Sequence, residues 1–292
     1  MLHLLVFLSM QKNPIDILST FWGYKAFRPS QEPVIEAILQ KNDVLALLPT
    51  GGGKSICFQV PGLAIGGLTL VISPLIALMD DQVKSLKSKG IRASSVTSAM
   101  GFREIDILLN NAAMGAYDFL YVSPERIQTP IFQERFKQMP VGLIVVDEAH
   151  CISEWGHDFR PSYMNIRLLR ELKATIPIIA LTATATNRVK KDICEALKLV
   201  NPVIHEVSFY RDNLSYEVIH TPNKMGSIIA YCNGKDHMTG IVYCATRKAV
   251  KELAKVFMSN KLNASIYHGG MSPEDRSASL NLWMSGSTPI MI

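Results

Sequence analysis

Cysteine is scarce and unpatterned in this chain. Cys57, Cys151, Cys194, Cys232 and Cys244 are odd in number, scattered, and nowhere spaced C-x-x-C, so neither a disulfide framework nor a zinc site is suggested. Reduced thiols in a cytosolic compartment are the expectation. Long hydrophobic runs are missing too. The opening Leu4 to Leu8 stretch is too short for a membrane span and lacks both a basic flank and a small-residue cleavage site, which argues against a signal peptide and makes Met10 the expected true start. Nor does one sign of charge dominate: 30 Lys+Arg against 25 Asp+Glu leave a net +5, which permits a polyanionic partner without requiring one. No internal repeat or low-complexity segment is present. What remains is a chain of 292 residues, 48% hydrophobic, long enough to bury a sizeable core in one large or two ordinary domains.

Two motifs carry chemistry. Thr50-Gly51-Gly52-Gly53-Lys54-Ser55 lies between an apolar run, Val44 to Leu48, and a helix-patterned segment, while Asp147-Glu148-Ala149-His150 closes a second apolar run, Leu143 to Val146. Glycines lack the Cβ atoms that would block consecutive backbone N–H groups from wrapping a phosphate chain at the positive end of a helix. Lys54 would reach the β- and γ-phosphates of a nucleoside triphosphate, Ser55 would ligate Mg²⁺, and Asp147 would hold the ion from the other side. Glu148 is positioned in sequence to orient and deprotonate the attacking water. In the general pattern G-x-x-x-x-G-K-[ST] the first glycine would fall at position 48, which is Leu48.

The opening Leu48-Pro49-Thr50-Gly51, together with the DEAH string, resembles superfamily 2 helicases rather than kinases or GTPases. Further strings narrow the resemblance to the RecQ family of DNA helicases. Phe27-Arg28-Pro29-Ser30-Gln31 is similar to that family's adenine-reading motif, with Tyr24 at the position of its ring-stacking aromatic. The resemblance therefore implies ATP, since Gln31 offers both a donor and an acceptor to adenine; a surface helix opened by Gln31 and a core role for Tyr24 is the plainer alternative. Arg28 is expected to brace this loop or a phosphate. Ser73 to Met79 and Tyr121 to Arg126 resemble DNA-backbone motifs, and Ala180 to Thr186 resembles the coupling motif, in which Thr182 and Thr184 either hydrogen-bond the catalytic carboxylates or simply finish a strand. Cys151 to Pro161 resembles the aromatic-rich loop of RecQ proteins. Trp155, His157, Phe159 and Arg160 interleave aromatic faces, which stack on bases, with cations, which meet phosphate. The resemblance implies that this loop senses single-stranded DNA, or a single/double-strand junction, and signals to Glu148 and His150.

The implied fold is α/β. Val44 to Leu48, Leu68 to Ser73, Phe119 to Val122, Leu143 to Asp147 and Ile178 to Thr182 are short continuous apolar runs alternating with helix patterns, as strands of a parallel sheet buried on both faces read. A RecA-like P-loop domain over residues 1–207 and an incomplete second RecA-like domain over 208–292 are expected, joined through Ser208 to Leu214. In the second, strands are expected at Ile241 to Cys244, Ser265 to Tyr267 and Pro289 to Ile292, with helices at Thr246 to Met258 and Pro273 to Met284. Tyr243 to Arg247 and Tyr267 to Met271 resemble motifs that close on nucleotide or DNA, although His268 serves equally well as a turn residue. The family's next coupling motif and its arginine finger would follow Ile292, so a truncated chain that binds ATP but hydrolyses it slowly is expected, the finger contributing about 10³ to 10⁵ in rate in related systems. The leading reading is an ATP-dependent RecQ-type DNA helicase with nucleoid association if bacterial; a nucleotide-gated DNA-binding module and an RNA helicase or remodelling ATPase are the alternatives.

Overall fold

The computed structural model describes residues 13–97, 100–156, 158–208, 210, 213–234 and 238–292. The chain divides into two compact units, Met1–Arg211 and Asp212–Ile292. In the first, seven strands form a wholly parallel sheet: β1 Val44–Leu47, β2 Leu68–Ile72, β3 Ala93–Val96, β4 Phe119–Val122, β5 Val141–Val146, β6 Ile178–Thr182 and β7 Val203–Glu206, in the order β3-β4-β2-β5-β6-β1-β7. Around it run α1 Pro14–Trp22, α2 Glu32–Leu39, α3 Ile56–Ile65, α4 Ile76–Ser88, α5 Phe102–Ala113, α6 Pro124–Ile127, α7 Pro130–Gln138, α8 Arg167–Leu172 and α9 Asn187–Ala196. Two short 3₁₀ segments, Ala149–Ile152 and Pro161–Ile166, flank the aromatic loop.

Successive side chains of a strand point to opposite faces, and here both faces are covered. Leu45, Leu47, Leu70, Ile72, Ile144 and Val146 enter one core. Val44, Ala46, Val71, Leu143, Val145 and Leu181 enter the other. That is why the inner strands read as unbroken apolar runs. The two strands that the apolar-run criterion does not find, β3 and β7, are the sheet's edges; β7 is largely exposed and, among the described residues, pairs with β1 alone.

At the amino end of the sheet a buried ion pair ties distant segments together. Asp43, immediately before β1, accepts from the backbone N–H of Ile178 at 2.8 Å and of Val200 at 2.7 Å and pairs with Arg170 of α8 at 2.5 Å. Arg170 Nη1 also donates to the carbonyls of Ala174 and Ile176. Both charges are nearly sealed from solvent, so the hydrogen bonds are what make the burial tolerable.

The second unit holds α10 Lys224–Cys232, β8 Gly240–Ile241, α11 Arg247–Ser259, β9 Ala264–Ser265, α12 Pro273–Met284 and β10 Ile290–Met291, with the parallel strand order β8-β10-β9. Val250, Leu253, Phe257, Leu262, Ile290 and Ile292 form its core. Thr246 and Ser272 cap α11 and α12 by accepting from Ala249 and Asp275 N–H. Its strands are shorter than their apolar runs, because ladder pairing ends within a residue or two: Val242 N–H still reaches the Met291 carbonyl, and Tyr267 N–H the Ile292 carbonyl. Tyr243, Arg247, Tyr267 and His268 line one cavity of about 490 Å³ within this unit.

Candidate active site and the adjoining aromatic segment

Four neighbouring strands, β2, β5, β6 and β1, end side by side, and each delivers a polar residue at its carboxyl end. Ser73 follows β2, Asp147 follows β5, Thr182 ends β6, and the glycine turn follows β1. In an open parallel sheet this edge is where ligands gather.

The glycine turn is held from behind. Gly51 and Gly53 have φ of 78° and 81°, a left-handed conformation that side chains resist, and a Cβ on Gly53 would run into the Gln31 carboxamide. Arg28 Nη1 donates to the Gly51 carbonyl at 2.7 Å and Gln31 Nε2 to the Gly53 carbonyl at 3.2 Å. Gln31 Oε1 meanwhile accepts the Arg28 backbone N–H at 2.9 Å. The carboxamide expected to read adenine is thus 4% exposed and bonded at both ends, with one Nε2 proton left for a base. Tyr24 stands 59% exposed. Thr50 is exposed, Gly52 is fixed by its N–H to the Pro49 carbonyl, and Ser55 begins α3 with no capping bond from its hydroxyl.

Lys54, Glu148, His150, Thr182 and Thr184 form one connected line. Lys54 Nζ lies 3.4 Å from Glu148 Oε1, and His150 Nδ1 lies 3.3 Å from Glu148 Oε2 and 3.0 Å from Thr182 Oγ1. Thr182 Oγ1 accepts the Thr184 N–H at 3.3 Å and lies 3.1 Å from the Thr184 carbonyl. When the single hydroxyl proton of Thr182 goes to that carbonyl, His150 Nδ1 is the donor toward Glu148 and Thr182. Glu148 adopts φ 47°, ψ 46°, an uncommon conformation for a residue with a side chain and one that turns the chain sharply between Asp147 and the 3₁₀ segment.

Asp147 sits deeper. Its N–H is anchored to the Ile72 carbonyl, its carbonyl accepts from Tyr163 OH at 2.9 Å, and its Oδ1 accepts the Glu148 N–H at 3.0 Å. Burial pushes its carboxyl up to about 6; the Glu148 charge adds to the push, while Lys54, the Glu148 N–H and the Ser73 hydroxyl pull the other way. Neither the Tyr163 bond to Asp147 nor the influence of Ser73 on its carboxyl is recovered from sequence pattern. Ser73 lies in a string matched to a DNA-backbone motif, yet it is 3% exposed and its hydroxyl helps to hold the Asp147 carboxyl down.

The donors suit Mg²⁺. A carboxylate at Asp147 and a hydroxyl at Ser55 are hard oxygen ligands, and Mg²⁺ is ordinarily held by one or two carboxylates plus substrate phosphates. Among the described residues no group of three or more His, Cys, Asp or Glu converges on a metal position. Burial pushes the nearby Cys57 thiol up to about 12, which disfavours the thiolate that would ligate a metal.

Beside this site the aromatic segment is pinned at several points. Arg160 donates from Nε and Nη2 to Asp158 and from Nη1 to the Pro74 carbonyl at 2.9 Å, and its backbone N–H bonds the Cys151 carbonyl. Trp155 N–H donates to Ser153 Oγ, and the Ser153 hydroxyl donates to Asp192 of α9. Trp155 and Phe159 are 62% and 36% exposed. Arg188, which no motif singled out, has its guanidinium 3.7 Å from the centre of the Trp155 ring. His157 lies outside the described residues.

A family model described as DEAD/DEAH box helicase matches residues 28–193, a span that contains the glycine turn, the DEAH string and the aromatic segment. The chain belongs to the DEAD/DEAH box helicases. Within that family it is similar to RecQ-type proteins. It is 42% identical over 264 residues to the probable ATP-dependent DNA helicase RecS of Bacillus subtilis, which covers 89% of this chain and 53% of the relative. It is 40% identical over 279 residues to the ATP-dependent DNA helicase RecQ of the same organism, with coverage of 95% and 47%. RecQ of Pasteurella multocida is 39% identical over 267 residues, covering 91% and 42%. The chain therefore spans about half the length of these curated relatives. Among solved structures, Mycobacterium smegmatis helicase Lhr bound to ssDNA and AMP-PNP aligns with a TM-score of 0.64 at 19% identity, over 92% of this chain and 40% of that one. Saccharomyces cerevisiae Dbp5 aligns at 0.62 and 16%, over 95% and 75%. At those identities the likeness is one of fold, and it agrees with a RecA-like α/β architecture. No helix among the described residues of this helicase chain is long and apolar enough to cross a membrane.

Proposed function

We propose that this chain is the nucleotide-binding part of an ATP-dependent DNA helicase of RecQ type, which couples ATP hydrolysis to 3′-to-5′ unwinding in recombination and repair. The observation that carries the proposal is the continuous line from Lys54 through Glu148, His150 and Thr182 to Thr184, laid across the carboxyl ends of adjacent strands. A structural glycine turn has no reason to sit against two acids and a histidine.

In this reading the turn residues Thr50, Gly51, Gly52 and Gly53 cradle the phosphates, with Tyr24, Arg28 and Gln31 on the base side. Lys54 exchanges Glu148 for a phosphate oxygen, which frees the Glu148 carboxylate to orient the attacking water. Ser55 and Asp147 would hold Mg²⁺, whose contribution when bound is to offset charge on the phosphates. His150 passes the position of Glu148 to Thr182 and Thr184, and the aromatic segment of Trp155, His157, Phe159 and Arg160 meets single-stranded DNA. Residues 208–292 form part of a second RecA-like domain. For the 292-residue chain by itself the proposal is binding of ATP and DNA without unwinding.

The test is competition on the purified chain, with single-stranded DNA and RNA of matched sequence displacing a labelled DNA strand in the presence of a non-hydrolysable ATP analogue and Mg²⁺. DNA should displace the label at the lower concentration. RNA displacing it equally well or better would move the assignment to an RNA helicase, and binding indifferent to nucleotide would contradict a coupled site.

A further inference from the structure

Arg160, the residue that the sequence pattern offers to a phosphate, is spent inside the fold, because all three of its guanidinium nitrogens are bonded to Asp158 or to the Pro74 carbonyl. Arg188 is the opposite case. It is exposed, and among the described residues it has no hydrogen-bond acceptor and no carboxylate partner; its one contact of note is the face of Trp155, 3.7 Å away. Five N–H donors are therefore unspent beside an aromatic ring that is itself 62% exposed.

The pairing is built rather than incidental. Thr186 caps α9 by accepting the Val189 N–H, which sets Arg188 in an ordered first turn. The Trp155 backbone bonds Ser153, whose hydroxyl bonds Asp192 farther along α9, so ring and cation are fastened to the same helix. An adjoining cavity of about 450 Å³ is lined by Glu154, Asp192 and Glu195 together with Trp155 and Phe159. Those carboxylates disfavour a phosphate in the cavity itself; the exposed Lys191 on the same helix lies 3.7 Å from one of them, Glu195, whereas Arg188 at the Trp155 face has no such partner among the described residues.

We infer that Arg188 is the phosphate-contacting residue of the aromatic segment: it rests on Trp155 until a base takes the stacking position, and its guanidinium then turns to the adjoining phosphate. This role rests on the DNA-binding reading proposed above. A cation–π contact at an exposed site is weaker than base stacking combined with a charge-assisted phosphate bond, so the exchange runs toward the nucleic acid.

The test measures binding of a labelled single-stranded oligothymidylate to the whole chain as a function of salt, for the unmodified protein, Arg188→Ala and Arg188→Lys. Loss of one phosphate contact lowers the log–log salt slope by about 0.7 for a single strand, so Arg188→Ala should show that drop. At low salt its affinity should fall roughly tenfold, the scale of one hydrogen bond to a charged group. Arg188→Lys should keep the slope. A merely structural stack would weaken binding without changing the slope, and that result, or unchanged binding, overturns the inference. If the unmodified chain does not bind the oligonucleotide, the DNA reading itself fails and this role with it.

Discussion

Replacing Asp147 by Asn should stabilise the protein while removing its function, and the size of the effect follows from the site's electrostatics. The Asp147 carboxyl is raised from 3.8 to about 6 by burial and by Glu148. A carboxyl that ionises less readily in the folded chain than in the unfolded chain favours folding below pH 3.8, and that advantage drains away as pH rises through 6. At about 1.36 kcal/mol per unit, keeping the charge at neutral pH costs the fold about 3 kcal/mol. Asn keeps an oxygen for the Glu148 N–H and carries no charge, so the variant should gain most of that difference above about pH 7, about half of it near pH 5 and almost none near pH 3.5. Urea denaturation of both proteins across this range reads the gap directly. A gap that does not widen with pH would refute the reasoning, because a neutral Asp147, or one compensated by partners other than those seen, has no ionisation cost to relieve.

Three other perturbations follow from the geometry. Asp43→Ala leaves Arg170 charged and buried with two backbone donors orphaned, and should lower the unfolding free energy by about 3–5 kcal/mol in denaturant titration. Gly53→Ala forces a side chain into a φ of 81° and against the Gln31 carboxamide, so it should cost about 1–3 kcal/mol and sharply weaken binding of a fluorescent ATP analogue, with circular dichroism unchanged. Thr182→Val keeps shape but deletes the hydroxyl shared by His150 and Thr184; a loss of about 1–3 kcal/mol in stability should accompany a loss of nucleotide-dependent DNA affinity.

How much of this was legible beforehand depended on burial. The inner strands declared themselves because both of their faces are covered, whereas β3, with Ser94 and Ser95 at its centre, and β7, with His205 and Glu206, sit at the edges and carry no continuous apolar signal. The glycine turn and the DEAH string were visible because close backbone approach and paired acids each demand particular residue types at fixed spacing. Partnership was not visible. That Gln31 turns its amide to the Gly53 carbonyl, that Ser73 lies close enough to Asp147 to hold its carboxyl down, and that Arg160 is tied down while Arg188 stands over Trp155 all depend on residues brought together from far along the chain. A pattern of types states which groups are present; it does not state which are already bonded.

We propose that a triphosphate and its metal lie between Lys54 and Asp147. Thermal unfolding of the chain and of Lys54→Ala, with and without saturating Mg²⁺–ATP, tests it most directly, because a ligand that binds the folded state raises its stability by mass action. The unmodified chain should melt several degrees higher with nucleotide, and the variant should melt at one temperature with or without it. An equal rise in both proteins, or none in either, would contradict the assignment.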